Sequence, residues 1–194
     1  MTTEPATRDI VHEQVVDGFG TVRVVRVDPA RDADLIHDWV TQPRARFWGM
    51  GDATRERVLE IYAYLDSLDT HHAYLLLRGD EPVALFQSYE PAADPVGECY
   101  DVEPGDIGAH FLVGPAREPQ RGFTAALFTA FLTFLLADPA RRRVVVEPDA
   151  RNDKAIERMR RSGFALGPEI DLPDKCARLA FLSRETFEGL VDRP

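Results

Sequence analysis

The stretch that decides the fold begins with GDIGAHFLVG (105–114) and PAREPQRGFT (115–124), runs through an apolar segment to Ala137, and then reads RRRVVVEPD (141–149). A second helical pattern starts at Asn152 and ends at GF (163–164). A strand that returns through a helix usually lies parallel to its predecessor, so this order predicts two neighbouring parallel strands. The loop between them precedes a helix start, where free amides and the helix dipole favour phosphate. The stretch therefore predicts a unit that holds the phosphate-bearing tail of a nucleotide.

Turn signals and alternating residues flank this stretch on both sides. They predict two hairpins and two helices before it, and two strands and a short terminal helix after it; the segments are HEQVV-DGFG-TVRVVRV, Asp28 to Val40, 53–69, AYLLLR-GDEP-VALFQSYE, EIDLP, KCARLAFLS and SRETFEGL. The expected fold class is α/β: one mixed central sheet, antiparallel at both ends and parallel in the middle, flanked by helices. We expect a flexible tail over residues 1–10 and a single domain over residues 11–194.

Composition narrows the class of protein. The chain has 194 residues, 44% of them hydrophobic, and a formal net charge of -10. The acidic balance disfavours nonspecific nucleic-acid binding and suits a cationic small-molecule partner, although solubility explains it equally well. Cys99 and Cys176 form no CxxC pair, which argues against a disulfide scaffold or a zinc site. Either cysteine is an alternative nucleophile, but a small buried side chain is the favoured role for both. With no apolar leader or membrane-length run, we expect a soluble cytoplasmic protein without a membrane partner, either a monomer or a homodimer.

His110 and Asp149 are the candidate catalytic residues. His110 lies near the carboxyl end of the predicted strand 106–113, and Gly108, on the same face, should leave space beside it. Asp149 lies just past the end of the next strand. Open α/β sheets bind ligands at the carboxyl ends of strands, and two such side chains on parallel strands can pass a proton or orient a base. The alternatives are a half-buried histidine bonded to a carbonyl group and a simple turn aspartate.

Other residues are candidates for binding an acceptor. Trp48 lies in the aromatic loop PRARFWGMGD (43–52), which either lines a pocket or plugs the domain. Gln87 and Tyr89 share the face of a strand that turns from apolar to polar, as a pocket wall would. The acidic loop that follows, if it rims the pocket, would favour an amine-bearing ligand. Asn152 suits a helix N-cap or a ligand contact.

Taken together, these segments resemble a GNAT-fold N-acyltransferase. The family's Asn-x-x-Ala-Ile and Gly-Phe signature matches Asn152, Ala155, Ile156, Gly163 and Phe164. The family's CoA-binding loop has the pattern Gln/Arg-x-x-Gly-x-Gly/Ala. Gly122 matches its central glycine, whereas Pro119 and Thr124 stand at its outer positions and do not match. The resemblance implies that acyl-coenzyme A is bound by Phe111, Leu112, Val113, Arg117, Arg121, Gly122, Phe123, Thr124 and Asn152, without a metal. Many members carry a tyrosine at the position of Met159 as the acid for the leaving thiolate.

A closer resemblance is to the siderophore-biosynthetic acyltransferases that act on hydroxylysine, hydroxyornithine or hydroxycadaverine. It is carried by FWGM (47–50), PVALFQSYEP (82–91), GDIGAH (105–110), EPDARN (147–152) and LPDKCARL (172–179). It implies His110 and Asp149 as the catalytic pair, contacts to substrate from Trp48, Gln87 and Tyr89, and acetyl- or succinyl-CoA as the donor. The expected reaction is direct attack of a hydroxylamine nitrogen on the thioester, which yields a hydroxamate. The alternatives are an aminoglycoside-type N-acetyltransferase and a non-catalytic protein that only binds CoA.

Overall fold

The computed structural model describes residues 8–115 and 122–191. An eight-stranded sheet forms its centre, with strand order β1-β2-β3-β4-β5-β6-β8-β7. The strands are β1 (Ile10–Val16), β2 (Gly20–Arg26), β3 (His71–Arg78), β4 (Glu81–Tyr89), β5 (Asp106–Val113), β6 (Arg143–Val146), β7 (Ala165–Asp171) and β8 (Cys176–Ser183). β5 and β6 are parallel, and the other neighbouring strands are antiparallel.

Five α-helices cover the two faces of the sheet: α1 (Pro29–Val40), α2 (Arg55–Asp66), α3 (Phe123–Leu135), α4 (Asp153–Arg161) and α5 (Arg184–Val191). Asp28 starts α1 by accepting hydrogen bonds from the amides of Ala30 and Arg31 at 3.1 Å each. One core joins α3 to one sheet face, and a second core joins α1 and α2 to the other.

The pairing between β5 and β6 is short. It runs from Asp106 opposite Arg143 to Gly108 opposite Val145, whereas β5 continues to Val113. β6 ends at Val146. The far half of β5 therefore borders a gap that β6 does not fill.

The backbone of β5 presents amides to this gap. The Gly114 amide donates to the Val83 carbonyl of β4 at 2.8 Å, and the β4–β5 register is continuous from there to Gly108. Along a strand successive amides point to opposite sides. The amides of Phe111 and Val113 therefore point away from β4, towards the gap.

The predicted α/β class, both hairpins and the mixed sheet are confirmed. The loop predicted over residues 43–52 instead contains a 3-10 helix, Pro43–Trp48. The predicted burial of the cysteines is wrong for Cys176, which is exposed, and Cys99 is half-buried. Predictions that concern Arg117, Pro119 and Arg121, and most of the expected tail, lie outside the described residues. Across the two described ranges, every helix is too short or too polar to cross a bilayer.

Candidate active site

His110 occupies the last stretch of β5 before the gap, and its imidazole has two partners. Nδ1 lies 3.2 Å from Oε1 of Gln87 on β4, directly across the register. Nε2 contacts Oε1 of Glu147, the first residue after β6. The side chain of His110 is 34% exposed, whereas that of Glu147 is 3% exposed. The ring is thus anchored on its inner side and open to ligand on the other.

Glu147 is a buried carboxylate that uses both oxygens. Oε2 accepts a hydrogen bond from the Tyr89 hydroxyl at 2.7 Å, and Oε1 accepts one from Lys175 Nζ at 3.4 Å in addition to its contact with His110. Burial alone raises the pKa of this carboxyl group. The charges of His110 and Lys175 and the hydrogen bonds outweigh burial and lower the pKa of Glu147 to about 2.

The space beside Gly108 is filled. A Cβ atom at Gly108 would lie 2.1 Å from Cε2 of Tyr89, the residue that is paired with Gly108 on β4. The expectation of an open space beside His110 is therefore wrong, because Gly108 makes room for a tyrosine ring. Tyr89 is only 2% exposed, and its hydroxyl donates a hydrogen bond to Glu147. It therefore holds Glu147 in place and does not face a ligand.

The structure does not join Asp149 to His110 in the expected pair. After Val146 the chain turns towards β8, where Asp149 forms a bridge with Ala177. Its carboxylate accepts hydrogen bonds from the backbone and guanidinium of Arg151 at 2.7 to 2.9 Å. These hydrogen bonds lower the pKa of Asp149 to about 2. The carboxylate that contacts the imidazole of His110 belongs to Glu147 and not to Asp149.

Trp48 and Gln87, both predicted to bind substrate, lie around His110. The Trp48 ring meets the imidazole edge-on, with centroids 6.3 Å apart. Gln87 Nε2 donates to the hydroxyl of Tyr62 at 3.4 Å. Burial raises the pKa of the Tyr62 hydroxyl, so this group stays neutral. The aromatic loop therefore lines the site at Trp48.

Of the residues predicted to bind coenzyme A, Phe111 and Val113 border the gap through their backbone amides. The Phe111 ring packs on Phe128 and Phe131 in the core, which leaves its amide as the group that faces the gap. The Leu112 amide points to β4, as the alternation requires. The Val113 carbonyl accepts a hydrogen bond from Arg44 at 2.6 Å. These groups fit an extended ligand that runs along the open edge of β5.

The start of α3 fits an anionic group. Gly122 has φ +82°, a left-handed conformation that glycine adopts without strain, and the first free amides of α3 follow it. Phe123 packs on Phe19, with ring centroids 5.2 Å apart, and Thr124 is half-buried. Asn152 caps α4 by accepting a hydrogen bond from the Ala155 amide at 3.2 Å. Its structural role as a cap is thereby shown.

An open groove of about 710 Å³ is lined by the acidic loop, including Asp94, Glu98 and Asp101. The side chains of His71 and Tyr89 pack between this groove and Glu147: the two rings stack with centroids 5.7 Å apart, and His71 Nε2 lies 3.5 Å from Asp94. Within the described ranges, no three His, Cys, Asp or Glu side chains are arranged to hold a metal ion.

Sequence reasoning missed Glu147 and Lys175. Glu147 directly follows the run of buried valines in β6. A charged residue next to a buried apolar run is rarely structural, and this is the sequence signal that could have identified it as functional. Lys175 lies at the tip of the β7–β8 hairpin, where it exchanges backbone hydrogen bonds with Leu172 at 2.8 and 3.3 Å. The pairing of β6 with β8 and of β8 with β7 brings this hairpin tip to Glu147, and the sequence does not show that pairing.

Comparison with known proteins gives matches over most of the chain. The model of the acetyltransferase (GNAT) domain family matches residues 28–172. The N(6)-hydroxylysine O-acetyltransferase of Escherichia coli is 28% identical over 82% of this chain, which spans about half (51%) of that relative's length. The aminoglycoside N(6')-acetyltransferase type 1 of Klebsiella pneumoniae is 23% identical over 84% of both chains. The lysine N-acyltransferase MbtK of a Mycobacterium species is 26% identical over 81% of this chain and 65% of its own length.

Solved structures show the same fold. An uncharacterized protein from Bacillus halodurans superimposes with a TM-score of 0.86 at 23% identity, covering 94% of this chain and 95% of the other. The aminoglycoside acetyltransferase AAC(6')-Ib, crystallised with coenzyme A, superimposes with a TM-score of 0.76 at 23% identity, covering 88% of this chain and 99% of the other.

Proposed function

The chain belongs to the GNAT acetyltransferase family, and on that premise we propose that it transfers an acyl group from acyl-CoA to the nitrogen of an N-hydroxylated diamine or amino acid. The product is a hydroxamate, a bidentate ligand for iron. The observation that carries the proposal is the position of His110, which stands at the mouth of the β5–β6 gap with part of its imidazole exposed.

The gap supports binding of acyl-CoA. The Phe111 and Val113 amides point into it, and amides that point at a thioester carbonyl stabilise the negative charge that develops on its oxygen. The first amides of α3 suit the phosphates of the same ligand. Acetyl-CoA and succinyl-CoA are the donors that we propose.

His110 supports proton transfer from the acceptor. A hydroxylamine is less basic than an alkyl amine, so much of it is neutral near pH 7, and the enzyme must remove a proton mainly as the new bond forms. Histidine has the chemistry for this step. Trp48 lies beside the ring and provides an apolar wall for the acceptor's carbon chain. For Asp149, in the loop that leaves β6, we propose contact with the acceptor's N–OH group, in exchange for the hydrogen bond from the exposed Arg151 guanidinium.

The acidic groove supports an acceptor with a second, positively charged end. Asp94, Glu98 and Asp101 line it, and the side chains of His71 and Tyr89 pack between it and Glu147. Carboxylates around a concave surface favour an ammonium group. An N-hydroxylated diamine or amino acid carries such a group at the end remote from the reacting nitrogen.

The second candidate is an aminoglycoside N-acetyltransferase, because the same groove suits a polycationic acceptor and one relative carries that name. Release of free CoA, measured with a thiol reagent, separates the two. We expect turnover with N6-hydroxylysine or N-hydroxycadaverine, and none with kanamycin or with lysine, the matched acceptor that lacks the N–OH group. Turnover of kanamycin alone would reject the hydroxylamine acceptor. Binding of acetyl-CoA without any turnover would identify a non-catalytic CoA-binding protein.

A further inference from the structure

We propose that Glu147 is the positioning residue of His110: it holds the imidazole so that Nδ1 is the nitrogen that receives the acceptor's proton, and it stabilises the imidazolium that results. This inference rests on the proposed function and assigns to Glu147 a part that the family match does not specify. The carboxylate of Glu147 has three side-chain partners.

The surroundings of Glu147 keep it negatively charged. The side chain is 3% exposed and is bound by a cation from the β7–β8 hairpin (Lys175), a hydroxyl from β4 (Tyr89) and the ring of His110 from β5. A carboxylate without such partners would be neutral in a buried position. The Lys175 side chain is itself only 18% exposed, so the two charges compensate one another.

A carboxylate can only accept hydrogen bonds. Nε2 of His110 must therefore carry a proton when it contacts Glu147, and in the neutral ring the lone pair then lies on Nδ1. The same arrangement, with a buried carboxylate holding one ring nitrogen so that the other acts as the base, is the logic of hydrolase triads. Asp149 does not fill this position, because Arg151 occupies its oxygens.

Gln87 permits both charge states of the ring. Its amide lies 3.2 Å from Nδ1, and with the oxygen turned to the ring it matches a protonated Nδ1. Turned by half a rotation, the amide presents its NH2 group to a bare Nδ1. Tyr62, on the other side of the amide at 3.4 Å, both donates and accepts, so it satisfies either orientation. Gln87 moves aside as the acceptor takes its place.

The reaction balances with these residues. Nδ1 takes the proton that the acceptor nitrogen loses as its lone pair forms the C–N bond with the thioester carbon. The C–S bond breaks, and its electron pair leaves on sulfur. The proton on Nδ1 then passes to sulfur, which gives free CoA and returns the ring to its neutral form. No separate acid is needed, which accounts for a methionine at position 159, buried in the core.

The test is Glu147→Leu, which removes the acceptor at Nε2 and leaves the Gln87 oxygen, 3.2 Å from Nδ1, as the acceptor for the ring proton. The ring proton then moves to Nδ1 and the base is lost. We expect kcat to fall by about 10²- to 10⁴-fold, with KM for acetyl-CoA changed by less than about 3-fold. The matched control is Glu169→Leu, on the exposed Glu169–Arg178 pair, which should change neither.

A second readout does not depend on turnover. With nitrogen-15-labelled histidine, NMR of the free protein at a pH where the ring is neutral should show the proton on Nε2 of His110 in the wild type and on Nδ1 in Glu147→Leu. A merely structural role would not move the proton. If the lone charge of Lys175 prevents Glu147→Leu from folding, the double variant Glu147→Leu/Lys175→Met removes both charges and should show the same Nδ1 proton.

Turnover of Glu147→Leu within about 3-fold of wild type, or an Nε2 proton in that variant, would overturn the inference. A wild-type protein that acylates no acceptor would reject the proposed function. The NMR result would then still decide between a positioning role and a structural role for Glu147.

Discussion

Replacing Gly108 by alanine tests the packing on which the site is built. The added Cβ would lie 2.1, 2.3 and 2.6 Å from three ring atoms of Tyr89, so the ring must move. Overpacking of this kind costs about 1–3 kcal/mol. Displacement of the ring also breaks the 2.7 Å hydrogen bond to Glu147, and a hydrogen bond to a charged group contributes about 1.5–3 kcal/mol. We therefore expect the free energy of unfolding to fall by about 3–5 kcal/mol.

The assay is equilibrium unfolding in urea, with a double-mutant cycle. In a Tyr89→Ala background the ring is absent, so Gly108→Ala should cost less than about 0.5 kcal/mol. Gly51→Ala is the control, because a Cβ there meets nothing within 4 Å; we expect it to stay within about 0.5 kcal/mol of wild type. A small effect of Gly108→Ala in the wild type, or an equal effect with and without Tyr89, would refute the reasoning.

Two further predictions concern Glu147 and Met159. The pKa of Glu147 is about 2 in the folded protein against 4.5 for an ordinary glutamate, so its contribution to stability is full above about pH 4.5 and is lost as the pH falls towards 2. Urea unfolding between pH 5 and pH 3 should therefore show a smaller loss of stability in Glu147→Gln than in wild type, and equal slopes would contradict this. Met159 is 8% exposed within the core, so Met159→Tyr should lower the unfolding free energy by about 1–3 kcal/mol. The same variant should not raise the rate of CoA release; a faster enzyme would show that position 159 reaches the reacting atoms.

The sequence predicted the elements of the fold because their signals are local. Asp28 and Pro29 form an N-cap and first helical position that need no tertiary context, and the structure starts α1 there. The Asp17-Gly18 turn likewise has hairpin strands on either side. The order of strand, helix, strand and helix is compatible with few topologies, because a strand that returns through a helix lies parallel to the first strand. This order therefore predicted the parallel pair within the mixed sheet.

The partner of His110 could not be predicted, because it depends on register and on where pairing ends. EPDARN offers two carboxylates two residues apart, Glu147 and Asp149. The register places Gly108 opposite Val145, which brings His110 beside Glu147. Asp149 has by then turned to β8. Neither the register nor the turn has a local signature in the sequence.

The prediction of a void at Gly108 was wrong for a similar reason. A glycine in a strand marks either open space or close approach of another group, and only the β4 register shows that Tyr89 lies across from it. Lys175 lies 28 residues from its partner Glu147, at a hairpin tip whose position is set by the edge of the sheet.

The most direct test of the central claim is the rate of hydroxamate formation from acetyl-CoA and N6-hydroxylysine or N-hydroxycadaverine, read as the coloured iron(III) complex, in wild type and in His110→Ala. We expect a coloured product from wild type with at least one of these acceptors and a rate about 10²- to 10⁴-fold lower in the variant, as for loss of a general base. A wild type that forms no hydroxamate, or a variant that forms it at the wild-type rate, would contradict the account.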